Sequence, residues 1–443
     1  MYITLPENVK KIIERLEQAG YEAYAVGGCV RDSLLGRIPN DWDITTSARP
    51  METKALFSRT IDTGLQHGTV TVLLDGEGYE VTTYRIDGEY EDGRHPRDVS
   101  FTSDLTEDLR RRDFTINAMA YNEREGLVDI FGGREDMDRK VIRCVGDAGE
   151  RFSEDALRML RAVRFSAQLG FAIEQGTREA ITRLADNLSK ISAERIQAEM
   201  VKLLVSPHPE ELRAAWETGI TAVVFPEFDE MMRTGQNTPH HSYSVGEHTL
   251  HALEQVEPDK VLRLAVLFHD IGKPKVRTVD ETGRDHFYGH AYEGVLMAEA
   301  VLKRWRFDND TLFKVKALVR FHDLRPALTE RSVRRMLYQV GEELFPLLKK
   351  VCRADILAQS MYQREEKLAY LAGTERLACG ILEKRQCFTL KDLAVTGKDL
   401  IADGMKPGKE LGRILNLLLE KVLEEPECNT KEYLTEYSRT LRE

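Results

Sequence analysis

Residues 27–43 join a glycine turn, Gly27-Gly28-Cys29-Val30-Arg31-Asp32, to a carboxylate pair, Asp41-Trp42-Asp43, and both suit phosphate chemistry. Residues 21–26 alternate like a strand and residues 30–35 are helix-forming, so the spacing predicts the glycines between a strand and a helix. A helix N-terminus leaves N–H groups unsatisfied and carries partial positive charge, and the missing Cβ atoms let a triphosphate approach the chain. Arg31 adds a charge-assisted contact. Asp41-Trp42-Asp43-Ile44 opens an extended run in which residues i and i+2 share one side, so both carboxylates converge. Oxygen ligands of this kind suit Mg²⁺, which keeps other positions for water and substrate phosphates. Two such ions can stabilise attacking and leaving oxygens together. Taken singly, a glycine pair is an ordinary turn and an Asp-x-Asp a solvated loop; the joint spacing carries the reading.

A third block, Arg111-Arg112-Asp113-Phe114-Thr115-Ile116-Asn117-Ala118-Met119, alternates apolar Phe114, Ile116 and Ala118 against Thr115, Asn117 and Met119, which predicts a strand headed by two cations and an acid. In this order the three blocks resemble the class II tRNA nucleotidyltransferases, which include CCA-adding enzymes and bacterial poly(A) polymerases. The family's next motif is present as Glu154-Asp155-Ala156-Leu157-Arg158, followed by Arg161 and Arg164, so the likeness runs over about residues 20–200. It implies that Asp41 and Asp43 hold the catalytic metal ions. Gly27, Gly28, Arg31, Asp32, Arg112, Asp113 and Asn117 would surround the nucleotide, with Asp113 either a sugar contact or a third metal carboxylate. Asp155 and Arg158, beside Arg161 and Arg164, would read the Watson–Crick edge of the incoming base, so that side chains select CTP or ATP without a template. A helix from Glu154 to about residue 169 sets Asp155 and Arg158 one turn apart. The plainer reading is a surface helix with Glu154–Arg158 and Asp155–Arg158 pairs worth roughly a few tenths of a kcal/mol.

Residues 82–96 carry two glycines, a proline and a run of charges, predicting a mobile loop. It resembles the loop that accompanies the switch from CTP to ATP and that CC-only enzymes lack. A-adding and poly(A) enzymes stay open as alternatives.

Downstream, His248, the doublet His269-Asp270, His290 and the pair His322-Asp323 lie among helical patterns and resemble the HD superfamily of metal-dependent phosphohydrolases. Imidazole and carboxylate ligands from separate helices can enclose one or two divalent ions (Mn²⁺, Ni²⁺ or Mg²⁺) and activate a water. Lys273 would offset phosphate charge. Which acid completes the site is left open by the sequence, with Asp323 a candidate, and the resemblance implies phosphomonoesters or 2′,3′-cyclic phosphates as substrates.

At 443 residues, 42% hydrophobic and 31% charged, the chain can bury more than one core. The resemblance implies an α+β fold: a small mixed-sheet, polymerase-β-like head at 1–145, then an all-α neck at 146–205, a connecting body at 206–240, an HD-like domain at 241–345 and a helical tail at 346–443. No apolar run approaches the ~20 residues of a membrane span, and the first residues lack signal-peptide character, so a cytoplasmic protein is expected. Six cysteines without Cys-x-x-Cys spacing are expected to be reduced. The net charge of −11 runs against a simple RNA-binding expectation. The local basic stretch from Arg139 to Arg164 and the clusters at 303–306 and 331–335 are instead either sites for the phosphates of a tRNA 3′ end or solvated helix faces. The stripe Leu411, Ile414, Leu415, Leu418, Val422 predicts a core-facing helix, with self-association into a homo-oligomer as the alternative.

Overall fold

The computed structural model describes residues 2–88 and 99–442. It is a mixed α+β chain in two compact units, Met1–Pro226 and Glu227–Glu443. No helix of the described residues is long and apolar enough to cross a membrane.

The first unit opens with helix Glu7–Gln18, whose Val9, Ile12, Ile13 and Leu16 are buried at helical spacing. Strands follow: β1 Ala23–Val26, β2 Ile44–Thr46, β3 Thr60–Gly64, β4 Thr69–Leu74, β5 Glu77–Thr83, β6 Arg85–Asp87, β7 Val99–Phe101, β8 Ala120–Asn122 and β9 Gly126–Val128. Seven of them form one sheet in the order β3-β4-β5-β2-β1-β8-β9. β1 is antiparallel to β2 and β8, whereas β2 runs parallel to β5. All four residues of β1 are buried, which fits a central strand covered on both faces. Tyr24, Val26, Tyr84, Leu109, Ala118 and Ala120 pack together beside it; burying one such large side chain contributes about 1.5–3 kcal/mol.

The loop expected over 82–96 is, in its described part, a ribbon: β6 pairs with β7 antiparallel. Residues 89–98 lie outside the described residues. The strand expected over 114–119 does not form. Thr115–Asn117 is a 3₁₀ turn, and the sheet strand starts only at Ala120. Its polar members are as buried as its apolar ones, because Thr115 Oγ1 donates to Asp136 (2.5 Å) and Asn117 Nδ2 to Asp113 (3.1 Å). The alternation therefore marks hydrogen-bonded interior, not a sheet with one wet face.

After a short parallel pair, β10 Val141–Ile142 and β11 Ala172–Ile173, the unit is helical. The single helix expected from Glu154 is two: Ala148–Glu154 and Leu157–Leu169, separated by Asp155 in an extended conformation (φ −142°, ψ 103°). Asp155 Oδ1 accepts the Leu157 N–H, the way a short acid caps a helix start.

The second unit is helical apart from a hairpin, β12 Thr278–Val279 with β13 Asp285–His286. Helices Val245–Leu253, Lys260–Phe268, His290–Arg304, Asn309–Phe321 and Phe345–Ala358 enclose its first core. Leu264, Leu267, Phe268, Val315 and Leu348 are fully or almost fully buried there. In helix Lys409–Glu424 the buried residues are Ile414, Leu418, Leu419, Val422 and Leu423, so three members of the expected stripe face the interior while Leu411 and Leu415 are half-buried. All six cysteines are free.

Candidate functional site

β1 ends in a reversal suited to glycine. Gly27 has φ +82°, and a Cβ there would lie 3.0 Å from Arg112 Nη1. Helix Gly28–Leu34 follows at once. The Val26 N–H donates to the Asp43 carbonyl (2.9 Å), which ties the carboxylate pair to the same strand. Asp41 and Asp43 lie just before β2 rather than within it. Among the described residues neither carboxylate has a hydrogen bond or ion pair. Loss of solvent and the adjacent Asp41 charge push Asp43 up to about 6. Glu80 adds to that rise, since the parallel register of Ile44 with Val81 sets it beside Asp43. Glu80 was not legible in the sequence, because its neighbour Asp43 lies 37 positions upstream.

Arg31 is 8% exposed and is anchored rather than free. It donates to Asn117 Oδ1 (2.6 Å) and to both Asp32 oxygens (2.9 and 3.0 Å). Arg111 donates twice to Asp108 (2.9 and 2.8 Å), and Arg112 reaches the other oxygen at 3.5 Å. Burial alone would raise the Asp108 carboxyl, but Arg111 and Arg112 outweigh it and hold it below the usual range. Asp113 is likewise enclosed. Burial opposes its charge, yet the Arg161 guanidinium (2.8 and 2.6 Å) and Asn117 hold it well below the carboxylate range. Among the described residues, no group of three or more potential ligands within 4.8 Å of one another contains Asp113, Asp41 or Asp43. What distinguishes Asp113 from Asp41 and Asp43 is that its carboxylate is already occupied by Arg161 and Asn117.

The expected Asp155–Arg158 pair is not formed. Asp155 takes two bonds from Arg195 (3.2 and 2.6 Å), while Arg158 donates to Glu154 (2.6 Å) and to the Arg111 carbonyl (3.0 Å). Arg164 is committed to Glu199 (2.7 Å) and Gln168 (2.8 Å), with its guanidinium 3.6 Å from the Phe165 ring centroid. The basic stretch is therefore largely neutralised. Arg143 pairs with Asp136, Arg304 with Glu227, and Arg335 with Glu420 and Glu424.

In the second unit His248, His269, Asp270, His290 and His322 do come together. His269, His290 and His322 each set Nδ1 against a carbonyl three residues back (2.7, 2.9 and 2.7 Å). That fixes the tautomer and turns Nε2 inward as an acceptor. The Nε2 atoms then face one another, His248 to His269 at 3.3 Å and His290 to His322 at 3.2 Å. Asp270 lies between these pairs, with Oδ2 3.2 Å from His269 and Oδ1 3.5 Å from His290 and 3.7 Å from His322. Lys273 Nζ lies 2.7 Å from Asp270 Oδ2. Gly272 permits the assembly: a Cβ there would sit 2.2 Å from the His290 carbonyl oxygen. Burial, Lys273 and His248 push His241 down to about 2, so it stays neutral beside Lys273.

Asp323 does not complete this cluster. It is exposed and its nearest cation is Arg325 at 3.7 Å, because it follows the helix end that turns His322 inward. The acid that arrives is Asp355, 3.1 Å from His248 and 3.9 Å from His269. The sequence did carry a signal for it: Leu348, Cys352 and Asp355 share a buried helix face, and an acid on such a stripe calls for a partner.

Three family models match the chain: the poly A polymerase head domain over residues 23–143, the RNA and SrmB-binding site of polymerase A over 170–232, and tRNA nucleotidyltransferase domain 2 over 294–437. A CCA-adding enzyme of Lactobacillus helveticus is 37% identical over 97% of this chain and 96% of its own. One of Streptococcus pyogenes is 38% identical over 95% and 93%. The crystal structure of the Bacillus stearothermophilus CCA-adding enzyme in complex with CTP is 33% identical, covers 98% of this chain and 97% of its own, and superposes with a TM-score of 0.71.

Proposed function

The chain belongs to the class II tRNA nucleotidyltransferases, and on that ground we propose that it builds or repairs the 3′-terminal CCA of tRNA from CTP and ATP, releasing pyrophosphate. The observation that carries this reading is the exposed, unpartnered Asp41–Asp43 pair beside the Gly27 reversal, in a chain whose relatives over nearly its full length are CCA-adding enzymes. Work on tRNA supports a cytoplasmic location.

Two carboxylates close enough that loss of solvent and the Asp41 charge together push Asp43 up to about 6 are a donor set that a small divalent cation relieves, and oxygen-only ligands favour Mg²⁺. Asp41 and Asp43 would hold it, with Glu80 alongside. When bound, the ion supplies positive charge at the α-phosphate and a more acidic 3′-hydroxyl. The Gly27-Gly28 turn leaves room for the triphosphate, and the Arg31–Asn117–Asp113–Arg161 chain keeps the floor beneath it rigid. The RNA 3′-hydroxyl attacks the α-phosphorus in line and pyrophosphate departs; alignment by this rigid floor lowers the barrier. Asp155, held in position by Arg195, and Arg158, on exchanging Glu154, read the hydrogen-bonding edge of the base, and Arg's planar fork suits that task.

Transcripts ending at the discriminator base, in C and in CC, incubated with Mg²⁺ and CTP, ATP or both, test the proposal. All three are expected to reach CCA and stop. ATP-only tails that lengthen would make it a poly(A) polymerase, and addition only after CC an A-adding enzyme.

A second activity is supported by the imidazole geometry. The His290 and His322 Nε2 acceptors, facing each other at 3.2 Å, cannot satisfy one another, whereas a shared cation satisfies both, and nitrogen-rich ligation suits Mn²⁺ or Ni²⁺ over Mg²⁺. We assign His248, His269, Asp270 and Asp355 to one position and His290, His322 and Asp270 to a second, as a phosphohydrolase centre. We propose a head at 1–145, a neck at 146–205, a connecting body at 206–240, an HD-like domain from 241 through helix Phe345–Ala358 and a helical tail beyond it.

A further inference from the structure

A cavity of about 460 Å³ opens over Asp270, His290 and His322, within the range of small-molecule sites. Its rim carries four cations. Lys273 is engaged with Asp270 and Gln236 (2.8 Å), Lys367 with Gln359 (2.6 Å), and Arg325 lies near Asp323 and Asp355. The Arg284 side chain also lines it, and among the described residues it has no hydrogen bond or ion pair. Such a rim favours an anion on the mouth side of the clustered ligands.

The same rim holds an aromatic surface with no packing role. Tyr288 is 80% exposed, and its ring lies parallel to that of His286, 10° apart with centroids at 5.4 Å. The two rings are offset, so the contact with His286 leaves most of Tyr288 open to solvent. The platform is held from below. Asp280 accepts from His286 Nε2 (2.7 Å), from the Thr282 N–H (2.9 Å) and from the Thr282 hydroxyl (2.6 Å). Asp285, 3% exposed, accepts the Asn237 N–H (2.6 Å) and Arg277 Nε (2.9 Å). The β12–β13 hairpin thus fixes an exposed planar ring beside a cation-rimmed cavity, at the cost of apolar surface left in water. A planar base covers such a ring, and a phosphate on the same molecule reaches the cavity.

We propose that Tyr288, backed by His286, is a base-stacking platform, and that the cavity's ligand is a nucleotide bearing a terminal phosphate, free or at the end of an RNA strand. This rests on the phosphohydrolase reading of the cluster. Turnover then needs only water: the bond from phosphorus to the ribose oxygen breaks, one to the water oxygen forms, and the ribose oxygen leaves with a proton.

Equilibrium dialysis of adenosine 3′-monophosphate and of glycerol 2-phosphate against the full-length chain and its Tyr288→Ala and Tyr288→Phe variants tests it. Tyr288→Ala is expected to weaken the nucleotide about tenfold relative to glycerol 2-phosphate, and Tyr288→Phe to restore it, as loss and return of one stacked base. Equal changes for both ligands, or no change, would overturn the platform. A short RNA ending in a 3′-phosphate binding more tightly than the mononucleotide, with the gain lost in Arg284→Ala, assigns the ligand to an RNA end; equal binding assigns it to the free nucleotide. Bound metal per chain, measured on the same samples and on His269→Ala, reports separately on the cluster: unchanged metal content in His269→Ala would sink the phosphohydrolase reading and leave the dialysis result to stand on its own.

Discussion

Asp41 and Asp43 stand exposed before a strand without a partner, whereas Asp270 is 2% exposed and walled in by imidazoles whose far nitrogens are tied to the backbone. The two centres hold acids under opposite conditions. In the first, charge repulsion is left in place, which suits an ion that arrives with its triphosphate and leaves with pyrophosphate. In the second, fixed nitrogen donors converge before anything binds, which suits a resident ion of harder-to-exchange type. On the proposed readings, one chain would separate a transfer site that must open to two substrates from a hydrolytic site that needs only one and water.

The largest test of that separation is a reciprocal pair. Asp41→Ala with Asp43→Ala is expected to lower nucleotide addition by about a thousandfold or more, the scale of several kcal/mol of lost charge stabilisation, while phosphatase activity persists. His269→Ala is expected to do the reverse. Product lengths on a gel and released phosphate read the two sides, and loss of both activities from either change would break the comparison. Dialysis against EDTA sharpens it: addition should vanish and return with Mg²⁺ alone, while Mn²⁺ or Ni²⁺ should remain with the chain longer, as metal analysis of the dialysed protein would show.

Next in size is the anchor beneath the transfer site. Asp113→Asn takes from Arg161 its two-bond partner and leaves it Glu199 at 4.0 Å, and is expected to cost about 1.5–3 kcal/mol of stability at neutral pH. Because Asp113 titrates lower in the folded chain than its ordinary 3.8, its contribution is fully present above that value and is lost as pH falls through the folded value below it. Urea unfolding of both proteins at pH 7 and pH 3 should show the gap shrink at the lower pH; a constant gap would mean that Asp113 acts through packing, not charge.

How far the sequence could be read follows from where partners lie. The glycine reversal, the Asp-x-Asp pair and the His-Asp-x-Gly-Lys turn were legible because their chemistry is local, and the family likeness ordered them. Glu80 was not, since it reaches Asp43 only through a parallel strand register. The 114–119 alternation misled because period-two polarity looks the same whether the polar half is wet or hydrogen-bonded inside. The break at Asp155 was legible in principle: an acid before an apolar helical run is a start signal, but Glu154 and Ala156 continue the helical pattern on both sides.

A smaller effect probes base choice. Arg195→Ala frees Asp155 from two charge-assisted bonds, the contacts we take to hold the reader in place. Discrimination between CTP and ATP at each position is expected to fall about tenfold to a hundredfold, the worth of one such bond, with total incorporation falling less. An equal fall in both would make Arg195 a stability residue alone.

The smallest expected effect is the sharpest discriminator within the second centre. Asp323 and Asp355 are both acids of the same cavity, yet only Asp355 is buried and within 3.1 Å of a histidine. A carboxylate 57% exposed at its side chain and near one arginine has water to solvate it in either charge state, so Asp323→Asn removes nothing that the cluster uses and should leave metal content within error. Asp355→Asn keeps the shape and the bond from Gln359 (2.8 Å) but removes the charge that balances two imidazole-bound positions, and metal content should drop by about tenfold or more at limiting ion. If the two variants lose metal equally, the acid is being recruited from the loop after His322 and the helix Phe345–Ala358 assignment fails.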